Sequence, residues 1–196
     1  MPEFKEFYCD LETSGLKEDV HGVVQIAGII KINGQVKAKF DYKVKLMKGD
    51  KITLSSIEIH GYSIEEIKSF PSSHRFFNKL LETFNKYIDP YDKKDKFHLV
   101  GYNAYFDYKF LRRFFEKNNF KWFGSYTWFP PTDIMQYANF YFEEQRYTFN
   151  NFKLRTVAEH LGKIIDEDSL HDSSYDIELT RFIYDTIRRL SNEKVD

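Results

Sequence analysis

The sequence is poor in the residues that staple or break a fold. Its 196 residues include one cysteine, five prolines and nine glycines, so an intramolecular disulfide and a cysteine-rich zinc site are both excluded. The lone Cys9 lies in an apolar run, reads as core packing and fits a reducing compartment. No run approaches the roughly 18 apolar residues of a membrane span, and Met1-Pro2-Glu3 opens a polar segment unlike a signal peptide, so a cytoplasmic protein is expected. Neither charge is in excess: 29 Lys and Arg against 30 Asp and Glu leave a formal net charge of -1. That balance speaks against gripping nucleic acid by overall attraction. It still permits nucleic acid held locally, above all where bound cations carry the positive charge. Repeats, low-complexity tracts and linkers are also missing, so one domain over residues 1–196 is expected.

Aromatic residues are abundant: 20 Phe and 14 Tyr bring the aromatic share to 18%, and many of them must be core. The patterning predicts a first strand from Phe4 towards Gly15. A second runs over Val23 to Ile32, and Asn33-Gly34 is a strong hairpin signal. A third strand, Gln35 to Leu46, returns antiparallel. Its Lys37, Lys39, Lys43 and Lys45, followed by Lys48 and Lys51, read as a solvated edge that discourages pairing, with phosphate binding as the lesser reading. Short helical pieces are expected over Thr53 to Phe70, and a core-facing helix over Ser73 to Ile88. A strand over Phe97 to Tyr102 precedes a helix from about Ala104 to Asn118. Phe120 to Thr127 reads as a further strand. Helices follow over Thr132 to Phe140, Phe152 to Leu161 and Ser174 to Asn192, with Tyr141 to Asn151 as a mobile loop. Strands and helices in this order imply an α/β fold, a mixed sheet with helices packed on it.

Chemistry is concentrated where acids interrupt these patterns. Asp10 and Glu12 end an apolar strand, and alternation puts both on one face, roughly 7 Å apart. Phe7, Cys9 and Leu11 take one face of that strand while Phe4 and Tyr8 take the other, so it is central in its sheet. Asp107 falls on the apolar stripe formed by Phe110, Leu111 and Phe114. Asp176 shares a stripe with Leu179, Ile183, Ile187 and Leu190. A buried carboxylate needs hydrogen-bond donors or a cation. Helix capping is the alternative, since Ser173-Ser174-Tyr175-Asp176 matches a loose capping box. Four carboxylates at strand ends and helix starts suit hard divalent cations with oxygen ligands, and His171 precedes Asp176 by five positions. A pair of such ions beside a neutral histidine describes a phosphodiester hydrolase in outline.

The order Asp10-Leu11-Glu12-Thr13, then Tyr102-Asn103-Ala104-Tyr105-Phe106-Asp107 with Phe110-Leu111, then His171 and Asp176, resembles the DEDD superfamily of 3′ to 5′ exonucleases, in its His-containing subgroup. The resemblance covers about Glu3 to Leu190 and implies a ribonuclease-H-like fold. It implies that Asp10, Glu12, Asp107 and Asp176 hold two Mg²⁺ or Mn²⁺ ions and that His171 is the general base. The implied substrate is nucleic acid with a free, preferably single-stranded 3′ end, DNA favoured over RNA. Thr13, Leu16, Tyr62, Asn103 and Phe106 become candidate substrate contacts: Leu16 as a wedge beside the terminal base, Tyr62 and Phe106 as stacking surfaces, Asn103 as a helix cap that orients the site. Tyr102 stands where many relatives have His, and Ser173 where Ala is frequent. Asp133 matches an acid common in the family outside the catalytic set and reads as a cap. Two other readings are a proofreading subunit bound to a DNA polymerase and a noncatalytic nucleic-acid-binding module. Four clustered carboxylates without metal would repel phosphate, which weighs against the last.

Overall fold

The computed structural model describes residues 3–166 and 172–193. Its centre is a five-stranded sheet in the order β3-β2-β1-β4-β5, made of β1 (Lys5–Thr13), β2 (Val23–Ile32), β3 (Gln35–Lys43), β4 (His98–Gly101) and β5 (Thr132–Asp133). β1 pairs antiparallel with β2 and parallel with β4, and β2 pairs antiparallel with β3. The turn between β2 and β3 holds Asn33 at φ 50° and Gly34 at φ 80°, the left-handed pair that a two-residue hairpin requires. β3 ends the sheet, and Lys37, Lys39 and Lys43 on it are exposed.

The helices are α1 (Leu54–His60), α2 (Ile64–Ser69), α3 (Ser73–Asn85), α4 (Ala104–Lys117), α5 (Ile134–Tyr141), α6 (Leu154–His160) and α7 (Ser173–Glu193). Side chains set several of their ends. Thr53 caps α1, Gly61 stops it at φ 75°, Ser63 and Glu66 form a capping box on α2, and Ser72 caps α3.

Alternation along β1 builds two cores. Phe7, Cys9 and Leu11 face α3 and α4, where Phe76, Phe77, Leu80, Phe84, Phe110, Phe114 and Phe115 are buried. Tyr8 faces the other way, together with Ala27 and Ile29 of β2, against Ile134, Val157, Ile177, Ile183 and Ile187 of α5, α6 and α7. The aromatic surplus therefore fills mainly one side of the sheet. Among the described residues no helix is long and apolar enough to cross a membrane.

The structure corrects three expectations. Phe120 to Thr127 is not a strand but encloses a 3₁₀ turn, Phe123–Ser125, and touches the sheet through a single bridge, Phe97 to Thr127. Its core residues Phe123 and Tyr126 are spaced by three, a helical period rather than a strand's period of two. The strand beside β4 is instead Thr132–Asp133, so the helix expected from Thr132 begins at Ile134. The segment Tyr141 to Asn151 carries a 3₁₀ helix, Glu143–Thr148, followed by Phe149, whose buried ring packs on Phe142 and His160 at 5.2 and 4.2 Å.

Candidate active site

β1 and β4 run parallel, so their carboxyl ends open at the same edge of the sheet, where open α/β sheets bind ligands. Asp10 and Glu12 stand at that end of β1. Their cross-strand neighbours on β2 are Ala27 and Gln25. Asp10 is half-buried and Glu12 buried.

Asp107 arrives from the first turn of α4. It is 4% exposed, and its Oδ1 accepts the backbone N–H of Leu11 at 3.1 Å. That hydrogen bond anchors the third acid on the residue between the first two. Asn103, immediately before α4, adopts the left-handed conformation at φ 62°, which asparagine tolerates better than most residues. Contrary to expectation, its side chain makes no cap hydrogen bond. The turn is held from outside, by Asp133 Oδ1, which accepts the N–H of Asn103 and that of Met135 at 3.0 Å each.

Asp133 is thus the cap of α5, as read from the sequence, and also a tether for the start of α4. Asp133→Ala should cost about 1–2 kcal/mol and lower any turnover at this site by loosening the turn that presents Asp107. Asp133→Asn keeps an acceptor oxygen and should recover most of both in thermal melts and turnover. An Ala variant with unchanged melting and turnover would contradict the tether.

The fourth acid comes from α7. The capping box expected over Ser173 to Asp176 is not formed. Asp172 caps the helix instead, its Oδ1 accepting from Ser174 N at 2.9 Å and Tyr175 N at 3.2 Å. Asp176, half-buried, is left close enough to act electrostatically on Asp10 and Glu12. The buried Ser173 hydroxyl faces Asp10 and favours its charged form, though the contact falls short of good hydrogen-bond geometry. His171 lies outside the described residues.

Burial and neighbouring carboxylates raise all four carboxyls. Asp10 is pushed up to about 7, first by burial and then by the charge of Asp176. Burial pushes Glu12 up to about 8, with Asp10, Asp176 and Asp172 adding to it. Asp176 rises to about 6 through burial and Asp172. Asp107 is raised well above the carboxylate range by burial and Asp10, despite the backbone N–H groups that favour its anion. Among the described residues none of the four forms an ion pair. A cluster of anions with no counterion calls for cations, and an all-oxygen donor set fits hard divalent ions. Among the described residues no three His, Cys, Asp or Glu groups stand close enough to cage an ion. The fit is therefore one of donor chemistry and charge, leaving coordination positions for water and substrate oxygens.

The predicted substrate contacts fare differently. Leu16 is 78% exposed just beyond β1, free to meet a ligand. Thr13 is buried, its hydroxyl donating to Gly15 O at 2.8 Å. Phe106 is half-buried against Phe110, with ring centroids 4.8 Å apart. The Tyr62 ring stacks on His60 and lies under the Lys43 ammonium. Asn103 is exposed at the edge of the site. Asp172 and Gln25 were not singled out from sequence, and Ser173 was read there only as part of a capping box and as a position where relatives often have Ala. Gln25 carried a signal, as the polar residue near the start of an otherwise apolar strand.

A family model described as exonuclease, of the RNase T type, matches residues 7–184. The chain belongs to this exonuclease family. Comparison with curated proteins gave no match. Among solved structures, this exonuclease-family chain is similar to E. coli Exonuclease I in complex with a dT13 oligonucleotide, with a TM-score of 0.73 and 16% identity over 97% of this chain and 43% of that one. It is similarly close to the zinc ion bound form of the E. coli ExoI–ssDNA complex, with a TM-score of 0.74, 16% identity and coverage of 97% and 41%. A product bound structure of exonuclease I gives 0.73, 15%, 96% and 44%. The chain thus spans about two fifths of the length of these structures. They share its ribonuclease-H-like fold, a mixed five-stranded sheet flanked by helices.

Proposed function

We propose that this chain is a metal-dependent 3′ to 5′ exonuclease of the His-containing DEDD type, releasing nucleoside 5′-monophosphates from single-stranded ends, with DNA favoured. The observation that carries this reading is the Asp107 carboxylate bonded to the Leu11 N–H, between Asp10 and Glu12, with Asp176 close by and, among the described residues, no cation paired with any of them. Asp10, Glu12, Asp107 and Asp176 would hold two Mg²⁺ or Mn²⁺ ions. Held by these residues, such ions would supply charge neutralisation at the scissile phosphate and a lowered pKa for bound water. Asp172 fixes the first turn of α7 and so orients Asp176. His171, two residues before the buried Ser173, is assigned from sequence order as the base that takes a proton from the attacking water. Leu16 presents an exposed apolar edge for the terminal base. The oligonucleotide complexes of E. coli Exonuclease I support nucleic acid as the substrate class.

The test follows matched DNA and RNA oligonucleotides, labelled at the 3′ or the 5′ end, with Mg²⁺ or Mn²⁺. The expected result is immediate release of labelled mononucleotide from the 3′-labelled DNA and a shortening ladder from the 5′-labelled strand. EDTA should stop both. Full-length strands surviving at high enzyme concentration with either metal would overturn the reading, and EDTA-insensitive binding without cleavage would favour a noncatalytic module.

A further inference from the structure

The row of residues crossing the sheet at Glu12 ends in a cation. Glu12 pairs with Gln25 on β2, and Gln25 pairs with Lys43 on β3. Directly paired residues share a sheet face, and two strand spacings put Lys43 about 10 Å from Glu12, Cα to Cα. Gln25 is 1% exposed, and its polar atoms are engaged. It receives the Tyr62 hydroxyl at 2.7 Å on Oε1 and donates from Nε2 to both oxygens of Asp41 at 2.8 and 3.0 Å. Ser174, from the first turn of α7, reaches the same carboxylate at 3.2 Å. Tyr62 is therefore held at its hydroxyl end by the buried Gln25, itself tied to the exposed Asp41, with Phe70 edge-on at 5.3 Å and His60 stacked at 5.3 Å.

On this platform the Lys43 ammonium lies 4.5 Å from the Tyr62 ring centroid and 5.8 Å from that of Phe70. Lys43 is exposed, and among the described residues it forms no ion pair. Glu66 is near enough to feel its charge, but Glu66 Oε2 is taken up by Ser63 N and Oγ at 2.8 Å each. A base stacking on Tyr62 at that place would have to displace the ammonium. A phosphate needs only to meet it.

We infer that Lys43 binds a backbone phosphate of the strand entering the acidic site, upstream of the bond to be cut. This rests on the exonuclease reading and adds a residue to it. The polyanion that approaches these carboxylates needs positive charge beyond the scissile phosphate. Lys43 supplies it at the rim, resting on an aromatic surface near Glu66 and, among the described residues, in no ion pair. The contact carries no sequence information, so its loss should weaken all sequences alike.

The test measures binding of fluorescent oligothymidylate with a nuclease-resistant phosphorothioate 3′ linkage, by anisotropy in Mg²⁺, across a salt series. For Lys43→Ala, affinity should fall about 5- to 10-fold near 0.1 M salt, and the slope of log affinity against log salt should shrink by about 0.7. Lys43→Arg should restore the slope. An unchanged slope in Lys43→Ala overturns the assignment, even if affinity drops, because a purely structural role would not alter counterion release. Failure of Lys43→Arg to restore it would count the same way. Mononucleotide release from the unmodified oligonucleotide by the unsubstituted protein is scored in parallel. Its absence would refute the exonuclease reading while the binding slope still decides Lys43.

Discussion

Asp10→Asn should lower nuclease activity by roughly 10³-fold while leaving the fold intact. Asp10 is the acid that acts electrostatically on both Glu12 and Asp107, and it is itself raised by Asp176. Removing its charge weakens the hold on any shared ion, and a loss of about 4 kcal/mol of transition-state stabilisation is roughly a 10³-fold drop in turnover. Stability should move the other way. Without metal, Asp10→Asn removes one anion from an unpaired cluster, so the melting temperature in EDTA should equal or exceed that of the unsubstituted protein. Turnover within tenfold of the unsubstituted protein would show that the chemistry lies elsewhere. A collapsed circular dichroism spectrum would mean that Asp10 is needed for folding.

The second large effect is expected from metal itself. An ion that binds only the folded state stabilises it by about 2.7 kcal/mol at 100 times its dissociation constant. For a chain of this size that is a rise of about 5–10 °C in melting temperature. The rise should vanish in EDTA and in Asp10→Asn. It should also depend on pH. Burial pushes Asp176, Asp10 and Glu12 up to about 6, 7 and 8, against ordinary values of 3.8 to 4.5. Between those limits the folded state holds protons that the unfolded chain has lost, so these groups make the metal-free protein less stable as pH rises from about 4 to 8. Metal binding, which needs the anions, should stabilise most at the upper end. Melting curves in EDTA and in Mg²⁺ from pH 5 to 8.5, compared with Glu12→Gln, measure both trends. A metal shift as large at pH 5 as at pH 8 would contradict the site's charge balance.

Much of this was legible in the residues because the signals were local. Alternation placed Asp10 and Glu12 on one face of a central strand, and Asn33-Gly34 set the hairpin that puts Gln25 beside Lys43. Asp107 and Asp176 stood out as acids on apolar helical stripes. What the sequence hid was settled by tertiary partners. Nothing local distinguishes Asp172 from Asp176 as the cap of α7, and the choice follows from how the helix meets the sheet. Asn103 looked like a cap, but its role is conformational, and the bonds that hold the turn come from Asp133, thirty residues away. The supposed strand over Phe120 to Thr127 failed because its aromatic residues serve the core at a spacing of three. The Tyr62, Gln25, Asp41 and Ser174 network joins four separate segments, which no window of sequence displays.

Crystals grown with Mn²⁺ and recorded near the manganese absorption edge test the central claim most directly. Anomalous density should appear among the carboxylates of Asp10, Glu12, Asp107 and Asp176 and disappear in Asp10→Asn. Fully occupied manganese elsewhere, with these four acids bare, would contradict the account.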